Sequence, residues 1–403
     1  MPSNAYAGRL ARNVSLTYGA IFTVYGLQLP FLGVFLESRG LSAEQIGIAV
    51  AVPALLRLVF NPAVAAWADA TRQHGRMLVV LCAIGVVGAA GLSPASGLLL
   101  LTLAVTTLML PLQSAMPFVE VIAMRGVRGH GLDYGRLRLW GSLTFIIATV
   151  GGGAAIEQFG PEVLPPLLLV AALLCVAASA ALVLQDRGHD EDVNAGGAMT
   201  GVGQIGFLAQ VRDVLAVPGL AVFLVGAAVV QASHAVYYAF SALHWSGQGV
   251  SGELIGLLWA LGVVAEIGLF AVSGRVVAMV GATGLLAIGA GAGVVRWGMM
   301  ALDPALIWLW PLQALHALTF GATHLAAIHF IAERVPTPRA GMAQSLFATF
   351  STGVVMAAAL YVAGLLYGAF SALGYLAMAG LAGVGVMAAI AGQRTPRRTS
   401  SAS

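Results

Sequence analysis

Twelve apolar stretches, most of about 20 residues or more and separated by polar turns, constrain this 403-residue chain more than any other feature. They run roughly over 14–36, 44–68, 77–93, 97–124, 137–156, 164–184, 216–241, 252–273, 283–301, 305–331, 341–366 and 370–391. A 20-residue helix is about 30 Å long, the thickness of a bilayer's hydrocarbon core. In hydrocarbon a segment must satisfy its own backbone polar groups, so each stretch is predicted to be a transmembrane helix. Composition agrees: 9% of residues are charged and mean hydropathy is +0.92, where soluble domains carry about 25% charge. The predicted fold is an all-α membrane protein with six spans in 1–184 and six in 216–403, the second set followed by a short tail. Between them, 185–215 is a polar, acidic, Gly-rich linker (Asp186, Asp190, Glu191, Asp192) with an amphipathic end near Phe207–Val211.

Arginine placement sets the orientation. All 19 basic residues are Arg, a usage expected of a GC-rich bacterial genome. With the N-terminus inside, the inner connectors and tails hold 15 of them and the outer connectors only Arg39. The positive-inside rule then puts both termini and the linker in the cytoplasm, and the chain in the bacterial inner membrane. Arg9 and Arg12 precede an apolar run too long for a signal peptide, so the first span is read as uncleaved. Cys82 and Cys175 fall inside spans and act as small hydrophobes. No metal-ligand spacing, phosphate loop or nucleic-acid patch is present in the sequence. The expected partners are a small molecule, protons and lipid, with no cofactor, metal or nucleic acid, and a monomer.

The halves look alike. Ser42-Ala-Glu44-Gln-Ile46-Gly47 and Ser251-Gly-Glu253-Leu-Ile255-Gly256 open the second and eighth spans at an offset of 209, which also places Phe31 on Phe240 and Arg57 on Glu266. Internal repeats mark transporter folds, whose substrate sites lie near the midplane. Five charges fall inside spans: Arg57, Glu120, Arg138, Glu266 and Arg296. A charge at the bilayer centre costs about 2.5–3.5 kcal/mol on insertion scales, so each needs a partner or a task. Arg57 lies 13 residues beyond Glu44, about 20 Å along a helix and well inside the bilayer. If the two carboxylates pair with arginines, one positive charge remains, and an anionic substrate would match it.

Six spans plus six, with inner termini and a middle linker, resemble the major facilitator superfamily. The segment Ala65-Ala-Trp-Ala-Asp69-Ala-Thr-Arg72-Gln-His-Gly75-Arg76 resembles that family's acidic-basic loop motif in degraded form. Tyr134-Gly-Arg136-Leu-Arg138-Leu-Trp140-Gly-Ser142 resembles the start of the fifth helix in the lactose permease group of oligosaccharide:proton symporters. Tyr25-Gly-Leu-Gln-Leu-Pro30-Phe31, Glu37-Ser-Arg39-Gly40 and Leu315-His316-Ala-Leu-Thr319-Phe320 are similar to the phenylpropionate permease branch. The resemblance implies substrate roles for Glu120, Arg138, Phe145, Glu266, Arg296 and His316. It also implies a departure, because Thr319 stands where lactose permease has its coupling carboxylate.

Residue reading adds Tyr25, which shares a face of the first span with Tyr18 and Phe22, and Gln113, seven residues before Glu120 on one face. With Arg57 and Thr319 these complete the candidate substrate set. Proton coupling is expected at Glu266, then Glu120, then His316. A carboxylate held between burial and a nearby Arg can bind and release a proton, and histidine titrates near neutrality. On a 100° wheel His316 shares a stripe with Thr319, Phe320 and Thr323, while His324 falls some 80° away. For His324, His329 and His234 packing is at least as good an account. Trp259, Trp308 and Trp310 are read as interfacial anchors. The expected function is secondary active transport by alternating access, with proton symport of a small organic solute, an aromatic or other monocarboxylic acid favoured. Sugar or nucleoside symport and proton-driven efflux of amphipathic compounds are the alternatives. An enzyme is not expected, since the spans carry no nucleophile-base pair or metal cluster.

Overall fold

Every predicted span is helical in the computed structural model, which describes residues 4–71, 73–186 and 204–393. The first six spans are α1 (Asn4–Ser38), α2 (Ala43–Thr71), α3 (His74–Leu92), α4 (Gly97–His130), α5 (Tyr134–Phe159) and α6 (Leu164–Asp186). Helix α7 (Gln204–Leu215) follows, formed by the amphipathic end of the expected linker. Arg187 to Gly203 lie outside the described residues. The later spans are more broken. The seventh divides into α8 (Leu220–Ala232) and α9 (Ala235–Gly247), and the eighth and ninth are α10 (Gly252–Ala271) and α11 (Ser273–Met300). The tenth is α12 (Leu306–Ala314) joined to α13 (Thr323–Arg334) through a π-turn at Ala317–Ala322. The eleventh repeats that pattern, α14 (Thr337–Thr349) meeting α15 (Met356–Phe370) through a π-turn at Phe350–Val355. The last is α16 (Tyr375–Gln393). No strand occurs among the described residues.

Packing divides the chain into two compact units. The first holds Met1–Ala198 together with Tyr238–Ala260. Most of α9 and the start of α10 pack with this first unit. Backbone approaches explain this. A Cβ on Gly33 of α1 would strike the Ala239 carbonyl, one on Gly153 of α5 the Gly252 carbonyl, and one on Gly256 the Thr149 carbonyl. Trp259 lies inside this packing, 4% exposed and 6.2 Å from Tyr238 ring to ring, so it is not an interfacial anchor; Trp308, 55% exposed, remains available for that task. The second unit holds Met199–Tyr237 and Leu261–Ser403. Its core gathers Leu220, Leu285, Leu286 and Ala326 around Phe223 and Phe330, whose rings stack at 3.8 Å. The Asp213 carboxylate of α7 pairs with Arg339 of α14 at 3.0 Å and ties the end of the linker to this unit.

The turn between α4 and α5 positions two of the membrane charges. Helix α4 runs past Glu120 to His130, so the glutamate lies well inside the helix. Gly131 then takes the left-handed conformation (φ 67°), its N–H bonding the Val127 carbonyl while Leu132 N–H reaches Gly126. The Gly131 bond is that of the αL cap, from the C′ N–H to the C3 carbonyl, and glycine is the residue with least strain there. Two residues on, Asp133 caps α5 by accepting from Arg136 N–H at 3.1 Å. The chain thus reverses within a few residues, and Tyr134 on the first turn of α5 comes back beside Glu120.

Candidate substrate and coupling site

In the first unit Tyr134 donates its hydroxyl hydrogen to Glu120 Oε1 at 3.2 Å. The Arg138 guanidinium lies over the Phe22 ring at 4.0 Å, with the Tyr18 ring at 5.6 Å. Cation–π contacts of this kind satisfy a guanidinium without neutralising it. Tyr18 is close enough to feel the Glu120 charge. The α1 stripe of Tyr18, Phe22 and Tyr25 therefore forms a wall beside Arg138, with Phe22 and Tyr25 edge to face at 5.3 Å.

A second polar group lies on α2 and α4. Arg57 is half-buried, and its Nε is shielded from solvent without a hydrogen-bond partner among the described residues. Tyr25, within electrostatic reach of Arg57, donates to the Leu112 carbonyl at 3.3 Å. Ser114 donates to Asn61, one helical turn beyond Arg57, at 2.5 Å. Gln113 lies between those two contacts, and its buried Oε1 has no partner among the described residues. None of Arg57, Glu120 and Arg138 makes an ion pair among the described residues. Phe145 lies on α5, facing α1. It is 6% exposed, and the α5 backbone carrying it presses so close to α1 that a Cβ at Gly26 would meet its carbonyl at 2.7 Å.

In the second unit Arg296 of α11 is fully buried. Its Nη2 donates to Gln313 Oε1 at 2.8 Å and its Nη1 to Thr319 Oγ1 at 3.0 Å and His316 Nδ1 at 3.3 Å. The guanidinium also lies over Tyr237 at 4.8 Å and Trp297 at 4.5 Å. His316 Nε2 stands 3.8 Å from Glu266 Oε2. Thr319 Oγ1 lies 3.0 Å from His234 Nε2, whose ring faces the Gln231 carbonyl through Nδ1 at 3.0 Å. Sequence reading placed Glu266, Arg296, His316 and Thr319 but missed Gln313 and Tyr237 and left His234 as packing. The break at Ser233–His234, where α8 gives way to α9, marks the spot only once the helix is seen to divide there.

The π-turn corrects the wheel. His316 and Phe320 stack at 5.3 Å with planes 9° apart, and Phe320 and His324 at 6.4 Å with the same tilt. A π-turn spends an extra residue per turn, so positions four apart fall nearly in register and His324 joins the stripe. Of the expected loop motif, Asp69 pairs with His74 Nε2 at 2.7 Å, Arg76 donates to Gln73 at 3.2 Å, and Gly75 abuts Val183. Arg72 lies outside the described residues. No group of three or more metal-ligating side chains gathers among the described residues.

Among the described residues, eleven helical segments are long and apolar enough to cross a membrane, the last of them covering α14 to α16. Residues 11–376 match the MFS_1-like family, and the chain belongs to that family of membrane transporters, not to a family of enzymes. It is 32% identical over 356 residues to an Escherichia coli (strain K12) protein described as a probable 3-phenylpropionic acid transporter, covering 88% of this chain and 91% of that one. It is 26% identical to a maltose permease of Geobacillus stearothermophilus, covering 84% and 83%. Among solved structures the nucleoside transporter NupG superposes with a TM-score of 0.79 at 17% identity, covering 96% of this chain and 99% of that one. A bacterial homolog of the human lysosomal transporter Spinster, inward-facing and occupied, gives 0.78 at 14%, covering 99% and 100%.

Proposed function

We infer that this transporter brings a small organic monocarboxylate, an aromatic acid by preference, across the bacterial inner membrane by proton symport and alternating access. The observation that carries the reading is the charge balance of the first unit. Arg57 and Arg138 lie in apolar helices with Glu120, and none of the three makes an ion pair among the described residues. Two cations against one anion leave a positive balance, and an unmatched charge in a bilayer is costly. A substrate carboxylate supplies the missing anion, and the Tyr18, Phe22 and Tyr25 wall supplies apolar area for an aromatic ring. The 32% identity to a probable phenylpropionate transporter supports the same substrate class. Coupling rests on Glu266 and Glu120, the two carboxylates within the spans, and the proton gradient is the energy source. The arginine asymmetry supports cytoplasmic termini, and the chain is taken to act as a monomer.

Two measurements test this. Thermal stabilisation of the purified protein is expected with aromatic monocarboxylates, only weakly with their amides, and not with sugars or nucleosides. Vesicles given an inward proton gradient are expected to accumulate the same acids. Stabilisation by nucleosides or sugars alone would replace the substrate class, and export under that gradient would replace symport by efflux.

A further inference from the structure

Hydrogen-bond direction in the second unit fixes more than distance does. Arginine has five donors and no acceptor, so His316 Nδ1, 3.3 Å from Arg296 Nη1, meets it as a lone pair. The proton of a neutral His316 then sits on Nε2, the nitrogen facing Glu266 Oε2 at 3.8 Å. The same logic runs through Thr319. A carbonyl only accepts, so His234 Nδ1 carries a hydrogen toward Gln231, and His234 Nε2 is left to accept from the Thr319 hydroxyl. Thr319 Oγ1 in turn accepts from Arg296 Nη1. Every bond in the series runs outward from Arg296: to Thr319, then His234, then the Gln231 carbonyl on one branch, and to His316 on the other.

We propose that His234 and Thr319 are positioning residues of the coupling site. Through Thr319 they hold Arg296 so that it keeps His316 as its Nε2–H tautomer facing Glu266, and the coupling proton is carried by the Glu266 carboxylate while the imidazole stays neutral. The inference rests on the proton-symport reading above. In the transport cycle a proton binds a Glu266 oxygen and later leaves it, and His316 keeps its Nε2–H throughout. Protonating Nδ1 instead would set two donors, that nitrogen and Arg296 Nη1, against each other. The groups facing His316 are Glu266 of α10, Arg296 of α11, His234 and Tyr237 at the α8–α9 break, and Phe320 with His324 on its own span. Behind them Tyr375 of α16 stacks on Trp297 at 5.8 Å.

The tautomer is measurable without a substrate. Protonated and bare imidazole nitrogens resonate far apart, so ¹⁵N spectra of histidine-labelled protein, with the His316 signals identified by their loss in His316→Gln, report it directly. At neutral pH the wild type is expected to show a bare Nδ1 and a protonated Nε2. Thr319→Ser keeps that pattern. Thr319→Val, which preserves shape and removes the hydroxyl, is expected to mix the tautomers, and His234→Ala to do the same with partial recovery in His234→Gln. An Nδ1–H or doubly protonated His316 in the wild type overturns the proposal, as does a pattern indifferent to Thr319→Val. With 3-phenylpropionate as probe, Glu266→Gln is expected to exchange the probe across the membrane without accumulating it, whereas His316→Gln is expected to lower exchange and accumulation in parallel. Loss of accumulation with exchange intact in His316→Gln would make the imidazole the carrier and overturn this inference alone. A wild type that ignores the pH gradient would overturn the symport reading, and this inference with it.

Discussion

Arg57 and Arg138 face similar constraints but are held differently. Arg138 has aromatic faces at 4.0 and 5.6 Å, which stabilise a cation without removing its charge. The Arg57 Nε has no hydrogen-bond partner among the described residues. Both guanidiniums therefore gain from an arriving carboxylate, and neither gains from a neutral analogue of the same shape. Arg57→Gln and Arg138→Gln are each expected to weaken binding of an aromatic monocarboxylate tenfold or more, about 1.4 kcal/mol. Each is expected to leave weak binding of the matching carboxamide unchanged. Titration followed by thermal stabilisation measures both, and an equal loss for acid and amide would make the arginines structural. Charges of this kind were legible in the sequence, because a lone Arg or Glu in an apolar run cannot be overlooked. Their neutral neighbours were not. Tyr134, Gln313 and Tyr237 are ordinary residues in a helix, and only the fold brings Tyr134 back across fourteen residues to Glu120.

At the scale of elements, the spans were legible and their interruptions were not. Apolar length reports a helix but not a π-turn, since an extra residue in one turn leaves composition untouched. That is why the wheel put His324 off a stripe that it shares. Close helix contacts were equally hidden within a run of glycines. Gly151, Gly152 and Gly153 are adjacent on α5, yet a Cβ on Gly151 meets nothing within 4 Å while one on Gly153 strikes the Gly252 carbonyl. A carbonyl on a helix cannot swing aside as a side chain does. Gly151→Ala is therefore expected to be neutral or stabilising by up to about 1 kcal/mol, through helix propensity. Gly153→Ala is expected to destabilise by about 1–3 kcal/mol, the usual range for overpacking. Comparing the melting temperatures of the two variants checks this, and similar values would mean that α5 and α10 do not meet through backbone. The α4–α5 turn offers a second check. Asp133→Ala removes the cap on Arg136 N–H and is expected to cost about 1 kcal/mol, whereas Asp133→Asn or Asp133→Ser should recover most of it.

For the whole molecule the substrate's charge decides what drives transport. A monocarboxylate entering with one proton carries no net charge across the membrane, whereas a neutral sugar or nucleoside entering with one proton carries a full positive charge. Moving one elementary charge through 100 mV is worth about 2.3 kcal/mol, which would favour accumulation almost fiftyfold for the neutral substrate and not at all for the acid. The positive balance of Arg57, Arg138 and Glu120 argues for the anion, and Thr319 limits the protons, since the carboxylate expected there in lactose permease is absent. Proteoliposomes holding this transporter are therefore expected to accumulate an aromatic acid when the interior is alkaline. They are expected to accumulate none when a potassium gradient with valinomycin supplies an interior-negative potential at equal pH. Accumulation under that potential alone would mean either a neutral substrate or a second proton. Glu120→Gln separates those two cases: if Glu120 carries the second proton, this variant loses the response to potential and keeps the response to pH, whereas with a neutral substrate carried by Glu266 alone both responses persist.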